Sequence, residues 1–248
     1  MGARLIRYLP FALVLIAWEA VAHAGFANAV FLSSPSAVVQ AIGYWFGTGR
    51  ILPHLGWSLS EIAVGLGISV VVGVPLGLLV GWYRWFADGA NPTLYFLDAI
   101  PVVGIAPAVP LVVGLGPWTA IVLVFFLTIL PTILSVAAGV RTVPPDLLRM
   151  GRHFGADTRQ LFRTVVLPAV GPYLFGAMRG NIGRAIAGIL VGEWLGSNVG
   201  LGSMMFEATG VFEIKSVYVG AVTVVVISLA LSAALTAAER RTAIWRAS

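Results

Sequence analysis

Arg149 to Pro168 read R-M-G-R-H-F-G-A-D-T-R-Q-L-F-R-T-V-V-L-P, a polar, arginine-rich stretch set between two apolar runs. Pro144-Pro145 ends the element before it, and Asp146 is placed to cap a short helix running to about Phe154. Gly155 breaks that helix. Asp157 with Gln160 has the spacing of a capping box for a second short helix, roughly Thr158 to Val166, and Pro168 ends the loop as the next span begins. Two short helices hinged at a glycine and tied to apolar runs form a compact lever. The same residues also describe a solvated basic loop lying against anionic lipid, and composition does not separate the two readings.

The flanking sequence is that of an integral membrane protein. Of 248 residues, 59% are hydrophobic and 10% charged, against about 25% charged in soluble domains. A soluble fold of this size keeps too much surface to hide that much apolar sequence, whereas lipid solvates it. Apolar windows near the ~20 residues that cross a bilayer fall at Tyr8–Ala24, Leu55–Tyr83, Leu94–Leu115, Trp118–Val140, Ala169–Gly192 and Val217–Ala238. The expectation is an all-α, six-span protein forming one transmembrane domain over residues 1–248. Breaks are expected at Ser33-Ser34-Pro35-Ser36, Asp88-Gly89-Ala90-Asn91-Pro92, Gly114-Leu115-Gly116-Pro117 and Ser197–Lys215, the last an outer loop or re-entrant segment.

Charge sets the sidedness. With the amino terminus inside, the inner segments carry Arg4, Arg7, Arg84, Arg141, Arg149, Arg152, Arg159, Arg163, Arg240, Arg241 and Arg246, and the outer ones only Arg50 and Lys215. Eleven against two is a positive-inside distribution that places both termini and the 141–168 loop in the cytoplasm. The net charge of +5 is then a topology signal and not a nucleic-acid footprint. Arg4, Arg7 and the run to Ala22-His23-Ala24 also mimic a cleavable signal peptide, although Trp18 and Glu19 interrupt it.

Glycines at spacing four (Gly73, Gly77 and Gly81; Gly176 and Gly180; Gly192, Gly196 and Gly200) suit close helix packing. Pro75, Pro101, Pro107, Pro110 and Pro131 fall within or near spans and predict kinks there. Arg179 and Arg184 lie inside the fifth span, five residues and so about 140° apart on the helix. Counted from the loop, Arg179 falls near the midplane, and the expected structural pairs are Arg179 with Asp98 and Arg184 with Glu61. The alternative is that an arginine meets an anionic substrate along a pathway that also passes Pro101. Glu193-Trp194 reads as an interfacial anchor. His23, His54 and His153 have no ligand spacing, and with no cysteine a metal site is not expected.

The loop resembles the "EAA" loop of binding-protein-dependent ABC importer permeases, whose pattern is E-A-A, three residues, G, nine residues, I-x-L-P. This chain keeps Gly155, both intervals and Leu167-Pro168, but has Arg149-Met150-Gly151 for the signature and Val165 for Ile. Over most of its length the chain resembles the nitrate/sulfonate/taurine class. The segments are Leu32-Ser33-Ser34-Pro35-Ser36-Ala37-Val38, Gly73-Val74-Pro75-Leu76-Gly77, Ala99-Ile100-Pro101, Gly183-Arg184-Ala185, Glu193-Trp194-Leu195-Gly196 with Gly200-Leu201-Gly202, and Glu239-Arg240-Arg241. Glu61 and Asp98 stand where this class usually carries arginine.

The resemblance implies a permease subunit in the inner membrane that docks on a pair of ATPase subunits through Arg149, Met150, Gly151, Gly155, Ala156 and Leu161. It also implies a second permease (the same chain or a paralogue) and an external substrate-binding protein. ATP and magnesium would belong to the ATPase, with no cofactor in this chain. The solute is expected to be a small organic or inorganic anion such as a sulfonate, taurine or nitrate, with a nitrogenous vitamin precursor as the alternative. The arginine at the signature leaves two readings open, a heterodimeric permease or a co-adapted ATPase. The only lysine is Lys215, so G-x-x-x-x-G-K-[ST] is absent and the chain is not expected to hydrolyse ATP itself. A secondary transporter would need Glu61 and Asp98 as its coupling-ion site. An intramembrane enzyme would need a clustered acid, base or nucleophile, and the sequence recommends none.

Overall fold

The computed structural model describes residues 2–24 and 33–243, and these contain helices and no strand. Leu32 and Arg246 lie outside the described residues, as do the side chains of Arg4 and Arg7. The helices are α1 Gly2–His23, α2 Pro35–Gly47, α3 Ile51–Trp82, α4 Arg84–Asp98, α5 Val102–Ile105, α6 Val109–Val113, α7 Pro117–Arg141, α8 Pro145–His153, α9 Thr158–Leu161, α10 Leu167–Gly196, α11 Leu201–Gly210 and α12 Ile214–Ala243. Four are long and apolar enough to cross a bilayer: Ile51–Trp82, Pro117–Arg141, the rod Thr158–Gly196 and Ile214–Arg241. A fifth crossing exists if α4 and the Val102–Val113 segment, bent by 67°, count as one broken span.

The third span therefore differs from the expected continuous Leu94–Leu115. Pro101 caps α5, a 3-10 turn at Ala106–Ala108 contains Pro107, and Pro110 opens α6. Each proline removes a backbone donor, so one straight helix cannot form there. The break expected at Asp88–Pro92 is instead helical, because α4 starts at Arg84 after an extended Tyr83. Ala87, Ala90 and Leu94 of that helix pack against Val80, Ile129 and Ile133, and this packing outweighs the bond lost at Pro92.

The described residues group into two units, one gathering 2–24, 33–58 and 198–226, the other 59–197 and 227–243. In the first, Ser34 caps α2 by accepting from Ala37 N at 3.2 Å, and Glu19 of α1 accepts from Ser36 N at 3.0 Å and Ser36 Oγ at 2.7 Å. The Trp18 ring packs tilted against Tyr218, with centroids 5.2 Å apart. The Trp18-Glu19 pair that interrupts the signal-like run is thus used in packing. His54 Nδ1 lies 2.9 Å from Gly200 O and 3.1 Å from Gly200 N, and Leu201 N donates to Ser58 Oγ at 2.9 Å. These contacts start α11, whose Leu201, Met204 and Ala208 are buried, so part of the expected Ser197–Lys215 loop is a packed helix.

The second unit is built on α7, the most buried of the four long helices. Along α3, Gly65, Gly73, Gly77 and Gly81 face Val124, Thr132, Val136 and Val140, where an added Cβ would collide. Gly188, Gly192 and Gly196 of α10 meet Val124, Ala120 and Thr119 of α7 in the same way. Small residues let these backbones approach, the usual device where lipid removes any hydrophobic drive between helices. Gly176 and Gly180 do not join this packing, since no atom of α3 or α7 lies within 4 Å of an added Cβ there. Gly200, with φ of 136°, serves a turn. A polar knot joins the three helices: Ser69 Oγ and Thr128 Oγ1 are 2.5 Å apart, and Asn181 Nδ2 donates to Thr132 Oγ1 at 2.9 Å and Thr128 O at 3.1 Å.

Candidate functional site

The 142–168 segment is a helical hairpin. Pro144, extended at φ −60° and ψ 129°, is the cap residue of α8, and Pro145 begins the helix. Asp146 does not make the expected cap bond; it lies in the first turn and pairs with Arg149 at 3.2 Å, both highly exposed. Such an exposed pair contributes little.

The end of α8 is a Schellman closure. Gly155 N donates to Arg152 O at 3.0 Å, and Ala156 N donates to Gly151 O at 3.0 Å. Gly155 itself has φ of 82°, which a side chain disfavours. Asp157 then accepts from Gln160 N at 2.6 Å and caps α9.

The second arm is not the separate helix expected over Thr158–Val166. It passes through a π turn at Phe162–Val166 directly into α10, making one rod from Thr158 to Gly196. Pro168 lies in the first turn of α10, where its missing N–H does not stop the chain. The hairpin has one separate arm, α8, and one arm fused to a membrane-length helix. Buried Val166 and Val170 join Val136 and Val140 of α7, with Leu148 and Phe162 packed against them. Trp82 meets Phe162 edge-on at 5.8 Å. The hairpin is therefore anchored on α3, α7 and α10.

The six expected coupling residues divide by role. Leu161 is 2% exposed and lies where a Cβ on Gly151 would be. Gly151, Gly155, Ala156 and Leu161 thus shape the hairpin. Arg149 and Met150 face outward, and with Met150 stand Leu147 and Phe154, the last 87% exposed. Leu147, Met150 and Phe154 follow helical spacing and form an apolar stripe bordered by Arg149, Arg152 and His153. Leu147 and Phe154 are not among the residues expected from the sequence, although their i, i+3, i+7 spacing with Met150 is the signal that could have found them.

Neither expected ion pair forms. Arg179 pairs with Glu239 of α12 and not with Asp98, which is exposed at the end of α4. Glu239 is near the end of the apolar run of α12, so the Arg179 head group belongs to that level and not to the midplane. Glu61 is 1% exposed in α3, while Arg184 is exposed and makes one hydrogen bond, to Gly180 O at 3.4 Å. The two arginines and two acids therefore do not share a site. Pro101 is exposed at the start of α5. Glu193 is fully buried, with the neighbouring Trp194 46% exposed, so only the tryptophan suits an interfacial role.

Residues 73–244 match the family described as binding-protein-dependent transport system inner membrane component. The chain belongs to that family of ABC importer permeases. Its relatives include the riboflavin transport system permease protein RibX of Chloroflexus aurantiacus, 30% identical over 95% of this chain and 88% of that protein. The formylaminopyrimidine transport permease protein ThiX of Halalkalibacterium halodurans is 30% identical over 82% of this chain and 83% of its own length. The putative aliphatic sulfonates transport permease protein SsuC of Bacillus subtilis is 24% identical over 95% and 85%. An inward-facing structure of the MetNI methionine ABC transporter shares the fold, with a TM-score of 0.62 at 20% identity over 77% of this chain and 95% of that one. The chain is thus a multi-pass inner-membrane permease subunit.

Proposed function

We propose that this permease lines the translocation path of an ATP-driven importer and receives its drive through α8. The observation that carries this reading is the exposed Leu147–Met150–Phe154 stripe on a helix anchored to three membrane-length helices. An apolar stripe rimmed by arginines fits a groove on a partner protein, and ATP and magnesium would act in that partner. Closure of a pair of ATPase subunits would push α8, and the rod Thr158–Gly196 would carry the motion into the membrane. The proposed orientation puts both termini and this hairpin in the cytoplasm, following the arginine distribution, with α1 and the broken α4–α6 segment completing six crossings. A second permease and an external binding protein complete the assembly. For Arg149 at the signature position we favour a co-adapted ATPase over an obligatory paralogue.

For the solute we favour a small organic or inorganic anion, such as a sulfonate, taurine or nitrate. The relatives named for riboflavin and formylaminopyrimidine support a second reading, a nitrogenous vitamin precursor. The test is purification of the complex from its native membrane with mass spectrometry. A P-loop ATPase should accompany the chain and be lost from the Phe154→Asp and Met150→Asp variants. Retention of the ATPase by both variants would refute α8 as the dock.

A further inference from the structure

Resting on the permease reading, we infer that the groove before Arg184 is an oxyanion site on the translocation path. Arg184 lies in the membrane-length rod, twelve residues and so roughly 18 Å before its end at Gly196. Three residues earlier, Asn181 bonds Thr128 and Thr132 near the middle of α7, which fixes the depth of this part of α10. A guanidinium at that depth needs a counter-charge or water. Arg179 has Glu239, but among the described residues Arg184 has no acidic partner and only the one long bond to Gly180 O.

The side chain borders a groove of about 490 Å³ lined by Pro131, Ser135, Tyr173, Gly176, Gly180 and Arg184. Its glycine wall is open: an added Cβ at Gly176 would meet nothing within 4 Å, and one at Gly180 only Arg184 itself. On the other wall Gly139 lacks the Cβ that would strike the Tyr173 ring, so the ring lies directly on α7. Among the described residues the Ser135 and Tyr173 hydroxyls have no hydrogen-bond partner. An arginine together with a serine and a tyrosine lining a space of this size suits a sulfonate, sulfate or carboxylate group, which guanidinium binds with paired hydrogen bonds. Gly180 and Gly176, one and two turns from Arg184 on the same face of α10, leave room for the remainder of the solute.

The chain has no cysteine, so Gly180→Cys gives this subunit a single thiol, and labelling is read on this subunit after the complex is separated. Reaction rates would be measured with 2-sulfonatoethyl methanethiosulfonate and with its trimethylammonium analogue. The anionic reagent should be favoured, and that preference should fall at least about tenfold when Arg184→Gln is added, while surviving with Arg184→Lys. Millimolar methanesulfonate should slow the anionic reagent at the introduced thiol. An unchanged preference with Arg184→Gln would overturn the site. Loss of the ATPase from the purified complex would instead count against the permease reading, so the two failures are distinguishable.

Discussion

Gly192 is the position where one added methyl should matter most. A Cβ built there would land on the Ala120 backbone of α7, 2.9 Å from its N and 2.8 Å from its Cβ. Carbon contacts settle near 3.5–4.0 Å, so α7 and α10 would have to separate by roughly 1 Å at their closest approach. No flexible side chain stands in the way to yield. Gly188 and Gly196, one turn to either side, would lose contact with Val124 and Thr119 as the helices part. Overpacking of this kind costs about 1–3 kcal/mol. Gly183 on the same helix is the control, because nothing lies within 4 Å of its added Cβ. Gly183→Ala should be neutral or stabilising by up to about 1 kcal/mol, since alanine restricts the unfolded backbone. Thermal unfolding of the detergent-solubilised complex, followed by gel filtration with fluorescence detection, reads both. Gly192→Ala should melt several degrees below wild type, at about 2–4 °C per kcal/mol for a chain of this size, and Gly183→Ala at or above it. Equal melting of the two variants, or a gain for Gly192→Ala, would refute the close packing of α7 on α10.

Two further outcomes follow from the polar knot and the hairpin. Asn181→Leu removes the bonds to Thr132 and Thr128 but also a carbonyl Oδ1 that has no partner, so the net loss should be small, about 0.6–2 kcal/mol; a loss above this range in the same melting assay would show that the amide does more than join α7 to α10. Gly155→Ala must hold φ near 82° with a side chain, at a cost of about 1–2 kcal/mol, and should speed proteolytic cleavage of the 153–157 turn and reduce ATPase recovery, with Gly155→Asn milder; equal cleavage rates in wild type and Gly155→Ala would remove the strained-turn argument.

Much of this protein is legible along the chain. The apolar window Trp118–Val140 matches α7 at Pro117–Arg141, and Leu55–Tyr83 matches α3 at Ile51–Trp82. The Gly155 break and the Asp157 cap are visible because each acts through its own backbone or a residue three positions away. The errors cluster where a local signal meets packing. Asp88–Pro92 reads as a loop by composition but is held helical by the alanine and leucine stripe on α7. Thr158–Val166 reads as a separate short helix, yet the π turn at Phe162–Val166 carries it directly into α10.

The sequence by itself determined that this chain is a helical membrane protein of the importer-permease family, and where α3, α7 and the Gly155 break lie. Hydropathy, glycine and proline placement, and motif spacing act over a few residues, and are therefore written in order along the chain. Only the tertiary structure decided that Arg179 takes Glu239, that Arg184 takes no acid among the described residues, and that Gly192 is packed while Gly180 lines an open groove. Those outcomes depend on which side of α10 meets α7 or α12. A helix crossing sets that through the fit of ridges from distant segments, and no local pattern carries it.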